Sequence, residues 1–153
     1  MTLPQEIAPF DAQLADTIVK TSDQEWIEND PGMAWTKVLW TGSESGRWAI
    51  LTKWKKGYKA PPHKHLAAVQ VYMLSGRIKV RGAVLEAGDF VYEPNGVLHD
   101  ATEALEDTEY ILFGDGPVLF FDDNGFTGYL GWEELRRMEA GVGAPAASQA
   151  AAG

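Results

Sequence analysis

The chain has 153 residues, 45% of them hydrophobic and 6 of them tryptophan, which suits one domain with a substantial buried core. Lysine and arginine number 13 against 22 aspartates and glutamates, and the net charge of -9 argues against nucleic acid as a partner, because phosphates select basic surfaces. Cysteine is absent, which excludes disulfides and thiolate metal ligands, and no apolar stretch approaches the roughly 20 residues of a membrane span. From Met1 to Lys20 there are early acids and no apolar run suited to a signal peptide, so a soluble cytoplasmic protein is expected. Short extended segments then follow closely, at 35 to 40, 47 to 54, 69 to 75, 77 to 81, 88 to 92, 108 to 113 and 117 to 121, each rich in aromatic and β-branched residues. Such spacing predicts an all-β sandwich or barrel. Between Trp48 and Trp54 the residues alternate, with Trp48, Ile50 and Trp54 on one face and Lys53 and Lys55 on the other, so one face of this strand is inside. Lys53, Lys55, Lys56, Lys59 and Lys64 form a local basic cluster that is read first as a solvated strand face and second as a means of steering an anion. Asp122-Asp123-Asn124-Gly125 is a hairpin signal that returns Phe126 to Leu130 beside Val118 to Phe121. A helix is expected from Trp132 to Ala140, with Glu133 and Glu134 early and Arg136 and Arg137 late, as the helix dipole favours, and Gly141 to stop it. One domain is expected over residues 1 to 140, followed by a disordered tail from 141 to 153 that shows no periodicity.

The three histidines carry the functional signal. His63 and His65 stand at i and i+2 at the end of a β-patterned run, so their imidazoles project from the same face of a strand. His99 follows the turn Glu93-Pro94-Asn95-Gly96 and begins another extended segment. Unprotonated imidazole is the commonest transition-metal ligand near neutral pH. An isolated His-x-His more often belongs to a solvated strand, but here it is accompanied by ordered glycine and proline punctuation. Those glycines, Gly57, Gly76, Gly88 and Gly96, are themselves what tight turns need whatever the protein does.

The spacings Gly57-x5-His63-x-His65, a later Gly76, and Gly88-x5-Pro94-x-Gly96-x2-His99 resemble the two motifs of the cupin superfamily. That resemblance implies an all-β, single-domain cupin, a double-stranded β-helix or jelly-roll barrel, here with a short C-terminal helix. The family's first motif also carries a glutamate, but the corresponding position is Val69, or Gln70 by a looser spacing, and Glu103 replaces the asparagine that usually closes the second motif. The pattern points to cupins with three histidines and no carboxylate on the metal. From His63 to Trp132 the chain further resembles the acetylacetone-cleaving dioxygenases, through His63-x-His65, Gly76-Arg77-x-x-Val80-Arg81-Gly82, Glu93 six positions ahead of His99, Phe121-Asp122-Asp123-Asn124-Gly125 and Gly131-Trp132.

This resemblance implies Fe(II) on His63, His65 and His99, with Arg81 and Glu93 orienting ligands, waters or substrate, and Gln70 where that group has an acidic residue. It implies a small-molecule carbonyl substrate and O2, and C-C cleavage of a 1,3-dicarbonyl. Three neutral imidazoles leave the full +2 on the ion, which favours an enolate ligand. Val71, Met73, Phe113 and Phe121 are the candidate pocket walls. Cupins commonly pair through edge strands, so a homo-oligomer, dimer or tetramer, is expected. Two other readings stay open: a non-oxidative enzyme using Zn(II), Ni(II) or Mn(II) as a lyase, isomerase or hydrolase, and a non-catalytic sensor similar to the metal-binding domain of some anti-sigma factors. The latter carry an additional domain, for which this chain is expected to have no room.

Overall fold

The structure is a computed structural model that describes residues 16–142. In chain order the strands are β1 (Ile27–Asp30), β2 (Ala34–Thr41), β3 (Trp48–Trp54), β4 (Lys59–Ala60), β5 (His63–His65), β6 (Val69–Ser75), β7 (Arg77–Val80), β8 (Ala83–Glu86), β9 (Phe90–Glu93), β10 (Leu98–His99), β11 (Thr102–Ala104), β12 (Thr108–Gly114), β13 (Val118–Asp122) and β14 (Gly125–Leu130), followed by helix α1 (Trp132–Glu139). A six-stranded antiparallel sheet in the order β1-β2-β3-β12-β6-β9 faces two four-stranded sheets, β10-β5-β13-β14 and β4-β11-β7-β8. The all-β expectation holds, with the short C-terminal helix as its one α-helical element among the described residues. Within those residues no helix is long and apolar enough to cross a membrane.

The seven predicted extended segments all correspond to strands, six with shifted ends and that at 69 to 75 matching β6 throughout. The segment placed at 77 to 81 stops at Val80 because Arg81 takes a left-handed conformation, φ 53°. The segment placed at 88 to 92 starts at Phe90 because Gly88, at φ 90°, still belongs to the turn. The strands without a counterpart among the predicted segments, β1, β4, β8 and β11, have two to four residues each, too few for an alternation to register, whereas β10 is the extended segment expected at His99.

Register organises the inner face of the large sheet into rows. One row runs Trp48, Gly114, Val69, Glu93 across β3, β12, β6 and β9. Two residues along each strand, a second row runs Ile50, Leu112, Val71, Val91. A third runs Thr36, Thr52, Tyr110 across β2, β3 and β12. Trp48 fits into the first row because Gly114 has no side chain: a Cβ there would lie 2.3 Å from the indole ring. The indole N–H donates to the Gly116 carbonyl at 3.0 Å, so the largest buried side chain also satisfies its one polar group.

The expected hairpin forms, with Val118 opposite Leu130 and Phe121 opposite Phe126. Asp122 pairs with Gly125, so Asp123 and Asn124 are the residues between the strands, and Gly125 takes the positive φ of 118°. Gly131 N–H donates to Glu134 Oε2 at 3.0 Å and starts α1, while Ala140 and then Gly141, at φ 69°, end it. The helix packs on β2 and β14 and buries Leu135 and Met138. Full burial of a side chain such as Leu135 contributes roughly 1.5–3 kcal/mol. Of the expected tail, residues 143–153 lie outside the described residues, as does the chain before residue 16.

Candidate metal centre

β5 and β10 pair antiparallel with His99 directly opposite His63, and β13 flanks β5 on its other side with Phe120 opposite His63 and Val118 opposite His65. The i, i+2 spacing puts His63 and His65 on one face of β5, as expected, and the cross-strand pairing brings His99 to them. One ring nitrogen from each of the three lies within 4.8 Å of the others, and no other such group of histidines and carboxylates occurs among the described residues. His65 and His99 are 3% and 2% exposed, so the cluster is held by the barrel wall and is not a solvated surface feature.

The donor set fits a divalent transition metal. His63 Nδ1 lies 2.9 Å from the Pro61 carbonyl, an acceptor that fixes the proton on Nδ1 and leaves the Nε2 lone pair free. His65 and His99 each carry a buried Nδ1 without a hydrogen-bond partner. Burial lowers the pKa of His63 to about 4, with the Pro61 carbonyl opposing the shift and the neighbouring histidines adding to it. Burial also lowers that of His65, against the pull of Glu93. Both are therefore neutral near pH 7, the form that ligates metal.

Glu93 is the one carboxylate at the cluster. Its Oε1 lies 3.0 Å from His99 Nε2 and its Oε2 3.6 Å from His65 Nδ1, with the side chain 12% exposed. Burial alone raises the pKa of Glu93, but the His99 hydrogen bond and the three imidazoles together bring it below the ordinary glutamate value. An ionised Glu93 accepts the His99 N–H and sets the orientation of that ring.

The other residues singled out from sequence are elsewhere. Arg81 sits exposed in the turn between β7 and β8, near enough to His65 for its charge to be felt there but with no ion pair to Glu93. Gln70 alternates with the cavity-lining Val69 and Val71, faces away from the histidines, and reaches Asp115 Oδ2 at 3.4 Å. Glu103 faces Lys59 at 3.8 Å on the neighbouring strand. The basic cluster is dispersed: Lys55 pairs with Asp107 at 2.6 Å, and Lys53 lies over the rings of Trp26 and Trp35. This agrees with the solvated-face reading and leaves no concentrated positive field to steer an anion.

The histidines open onto an interior cavity of about 170 Å³. Of the expected walls, Val71 lines it, whereas Met73, Phe113 and Phe121 do not. Met73 is buried one row further along β6, Phe113 is half-exposed on the outer face next to the lining Leu112, and Phe121 is displaced by Phe120. Strand parity decides both aromatic cases: Val118 and Phe120 face the histidines across β5, so Phe121 faces away. Among the lining residues missed from sequence are the polar Asn29, Thr36, Thr52, Thr102 and Tyr110, whose types are too common in strands to signal a site.

Comparison with known proteins fits this geometry. Residues 14–119 match the ChrR cupin-like domain family. The chain belongs to that family. This cupin is 27% identical over 134 residues to the acetylacetone-cleaving enzyme of Acinetobacter johnsonii, covering 80% of this chain and 87% of the relative. The crystal structure of an acetylacetone dioxygenase from Acinetobacter johnsonii superposes with a TM-score of 0.78 at 21% identity, over 89% of this cupin and 99% of that chain. The anti-sigma factor ChrR of Rhodobacter sphaeroides, solved with SigE, has the same fold at a TM-score of 0.53 and 22% identity, over 62% of this cupin and 51% of that chain. The cupin barrel is thus shared by an enzyme and a regulator, and the site must separate the two.

Proposed function

We propose that this cupin is an Fe(II)-dependent dioxygenase that cleaves a C-C bond of a 1,3-dicarbonyl with O2, giving a carboxylate and an α-ketoaldehyde. The observation that carries the reading is a cluster of three imidazoles, with no carboxylate in the group, opening on a cavity walled by Val69, Val71, Val91, Leu112 and Phe120. The relationship to the acetylacetone-cleaving enzyme supports the same choice. Held by His63, His65 and His99, Fe(II) would supply Lewis acidity toward an enolate and the redox couple for oxygen.

The chain's own part is positioning and exclusion. The Pro61 carbonyl and the Glu93 carboxylate fix the rings of His63 and His99 through the N–H groups that do not face a ligand. The apolar walls keep bulk water from the reacting carbons and strengthen electrostatic interactions within. Neutral imidazoles leave an anionic enolate as the charge-balancing partner, whereas a carboxylate ligand would already cancel part of the charge.

The test is anaerobic loading with Fe(II) followed by oxygen uptake across a panel of diketones, with carboxylate formed in equal amount to oxygen consumed. If no diketone perturbs the iron protein and the Zn(II), Ni(II) or Mn(II) form turns over another substrate, the non-oxidative reading replaces this one. The same proposal includes self-association of two or more copies through β9, an edge strand that exposes Phe90 and Tyr92 beside Tyr72 of β6. Three aromatic side chains exposed side by side at a sheet edge suit burial against a second copy of the chain. Sedimentation should show Phe90→Glu to be smaller than the unaltered protein.

A further inference from the structure

Away from the histidines, the inner face of the large sheet turns polar in a single row. Thr36, Thr52 and Tyr110 stand directly opposite one another on β2, β3 and β12, and Asn29 from the irregular stretch of β1 donates its side-chain N–H to Thr36 Oγ1. Thr36, Thr52 and Tyr110 are 2%, 4% and 4% exposed, and all four residues line the cavity that the histidines open on. Thr52 Oγ1 lies beside the Tyr110 phenol, whose pKa it lowers against the effect of burial, but neither it nor Asn29 Oδ1 has a hydrogen-bond partner of good geometry. A buried hydroxyl or amide oxygen without a partner costs roughly 1–3 kcal/mol, so a row of this kind is expensive unless something meets it. Burial pushes the Tyr110 phenol well above its ordinary pKa, and burial with the nearby Asp30 pushes Tyr58 up to about 12, so both stay protonated.

The polar row and the metal centre are separated by an apolar belt. Val69 stands opposite Glu93 and Met73 opposite Tyr110, so the two ends of the cavity are four residues apart along β6, on the order of 13 Å at the usual strand rise. Between them lies the row of Ile50, Leu112, Val71 and Val91. The volume is close to that of the apolar cavities of about 150 Å³ that accept benzene. No lysine or arginine lines it, and its one carboxylate, Glu93, is at the histidine end. A charged terminus would therefore meet no counter-charge at the polar row, whereas an uncharged oxygen would meet hydroxyls.

We infer that Thr52, with Tyr110, Thr36 and Asn29, forms a second recognition point that hydrogen-bonds an uncharged oxygen, a hydroxyl or carbonyl, at the far end of the molecule this cupin binds. The dicarbonyl head of that molecule rests on the function proposed above; the polar row does not. The substrate class is then a dicarbonyl with a chain long enough to cross the apolar belt and an oxygen at its end, in place of a plain short alkyl diketone.

The experiment uses two pairs of isosteric ligands, each pair differing by a terminal methyl or hydroxyl, and reads dissociation constants by calorimetry. Ethylbenzene and benzyl alcohol are titrated into the metal-free protein, and an alkyl diketone and its hydroxyl-terminated isostere into the Zn(II) form, which has no redox couple with which to turn over. Thr52→Val keeps the volume and removes the hydroxyl, and it should shift the hydroxyl-to-methyl ratio about tenfold toward the methyl ligand in both pairs. Thr52→Ser should restore the original ratio, which a merely structural role for Thr52 would not do. An unchanged ratio for the aromatic pair overturns the inference, and so does failure of both aromatics to bind the folded protein. A shifted aromatic ratio with no diketone bound keeps the polar row and removes the dicarbonyl reading.

Discussion

At one end of the cavity three imidazoles stand against the Glu93 carboxylate and the Pro61 carbonyl, with Nδ1 of His65 and of His99 unpartnered; at the other, Asn29, Thr36, Thr52 and Tyr110 present polar atoms of which Asn29 Oδ1 and Thr52 Oγ1 are unpartnered. The first end is specified by residue type. Imidazole is hard to replace, and each ring has a defined neighbour. The second end is specified by register alone, since threonine, asparagine and tyrosine become a polar row only because β2, β3 and β12 pair as they do. A candidate metal centre and a polar row can therefore share a barrel while differing in how sharply any one residue is required. Substitutions at the two ends should differ accordingly.

The largest effect is expected from removing a ring. His99→Ala should lower metal affinity beyond the roughly 100-fold upper limit typical for loss of an outer partner, because it removes one of three candidate ligands outright. Metal content after dialysis measures this. If the substituted protein retains a full equivalent of metal, His99 is not a ligand, and the centre must be rebuilt from other groups.

Glu93→Gln comes next. The carboxylate accepts the His99 N–H at 3.0 Å, and an amide accepts it more weakly, so metal affinity or turnover should fall about 10- to 100-fold, by more than the loss in unfolding free energy. Equal losses in stability and turnover would mean that Glu93 acts as a packing group and not as a positioning residue.

Acidification of the metal-free protein should lower its stability, an effect separate from metal affinity. With the pKa of His63 at about 4 in the folded chain and near 6.5 when unfolded, the unfolded state binds the proton first as pH falls. The stability due to a neutral His63 is present above pH 6.5 and lost on descent toward pH 4, in all about 3 kcal/mol by the usual conversion. The lowered values of His65 and Glu93 act in the same direction, the latter below the ordinary glutamate pKa of 4.5. Urea melts at several pH values would reveal a flat profile if the cluster were solvated.

How much of this could be read in the sequence follows from the same contrast. The histidine, glycine and proline spacing carries the resemblance to cupins, and the structure has that fold and brings His63, His65 and His99 together. Glu93 is carried by the resemblance to the acetylacetone-cleaving dioxygenases, six positions ahead of His99, and the structure sets its carboxylate against His99 and His65. Phe113 and Phe121 were assigned to the cavity and face away, since a strand's parity inverts with one residue and the register that fixes it is a long-range property. Gln70 was misplaced by the same single step relative to Val69 and Val71. Thr52 was invisible, because a threonine in a strand is ordinary until its neighbours across the sheet are known.

The smallest effect belongs to Arg81, where resemblance and structure part most clearly. Its side chain is exposed in the β7–β8 turn and pairs with no carboxylate of the metal centre, so Arg81→Ala should leave metal affinity within about twofold of the original, well inside the 10- to 100-fold expected of a true outer partner. The backbone gives Arg81 a second test. At φ 53° it is the one residue other than glycine in the left-handed region among those described, and the conformation costs a side-chain-bearing residue roughly 1–2 kcal/mol. Glycine removes that strain but has more freedom to lose on folding, so Arg81→Gly should stabilise the protein by about 0.5–1 kcal/mol net. A melting point raised in Arg81→Gly, with metal binding unchanged in both variants, makes this position a turn residue. A loss of metal in Arg81→Ala that Arg81→Lys reverses would instead bring its charge back to the centre, through the long-range field already felt at His65.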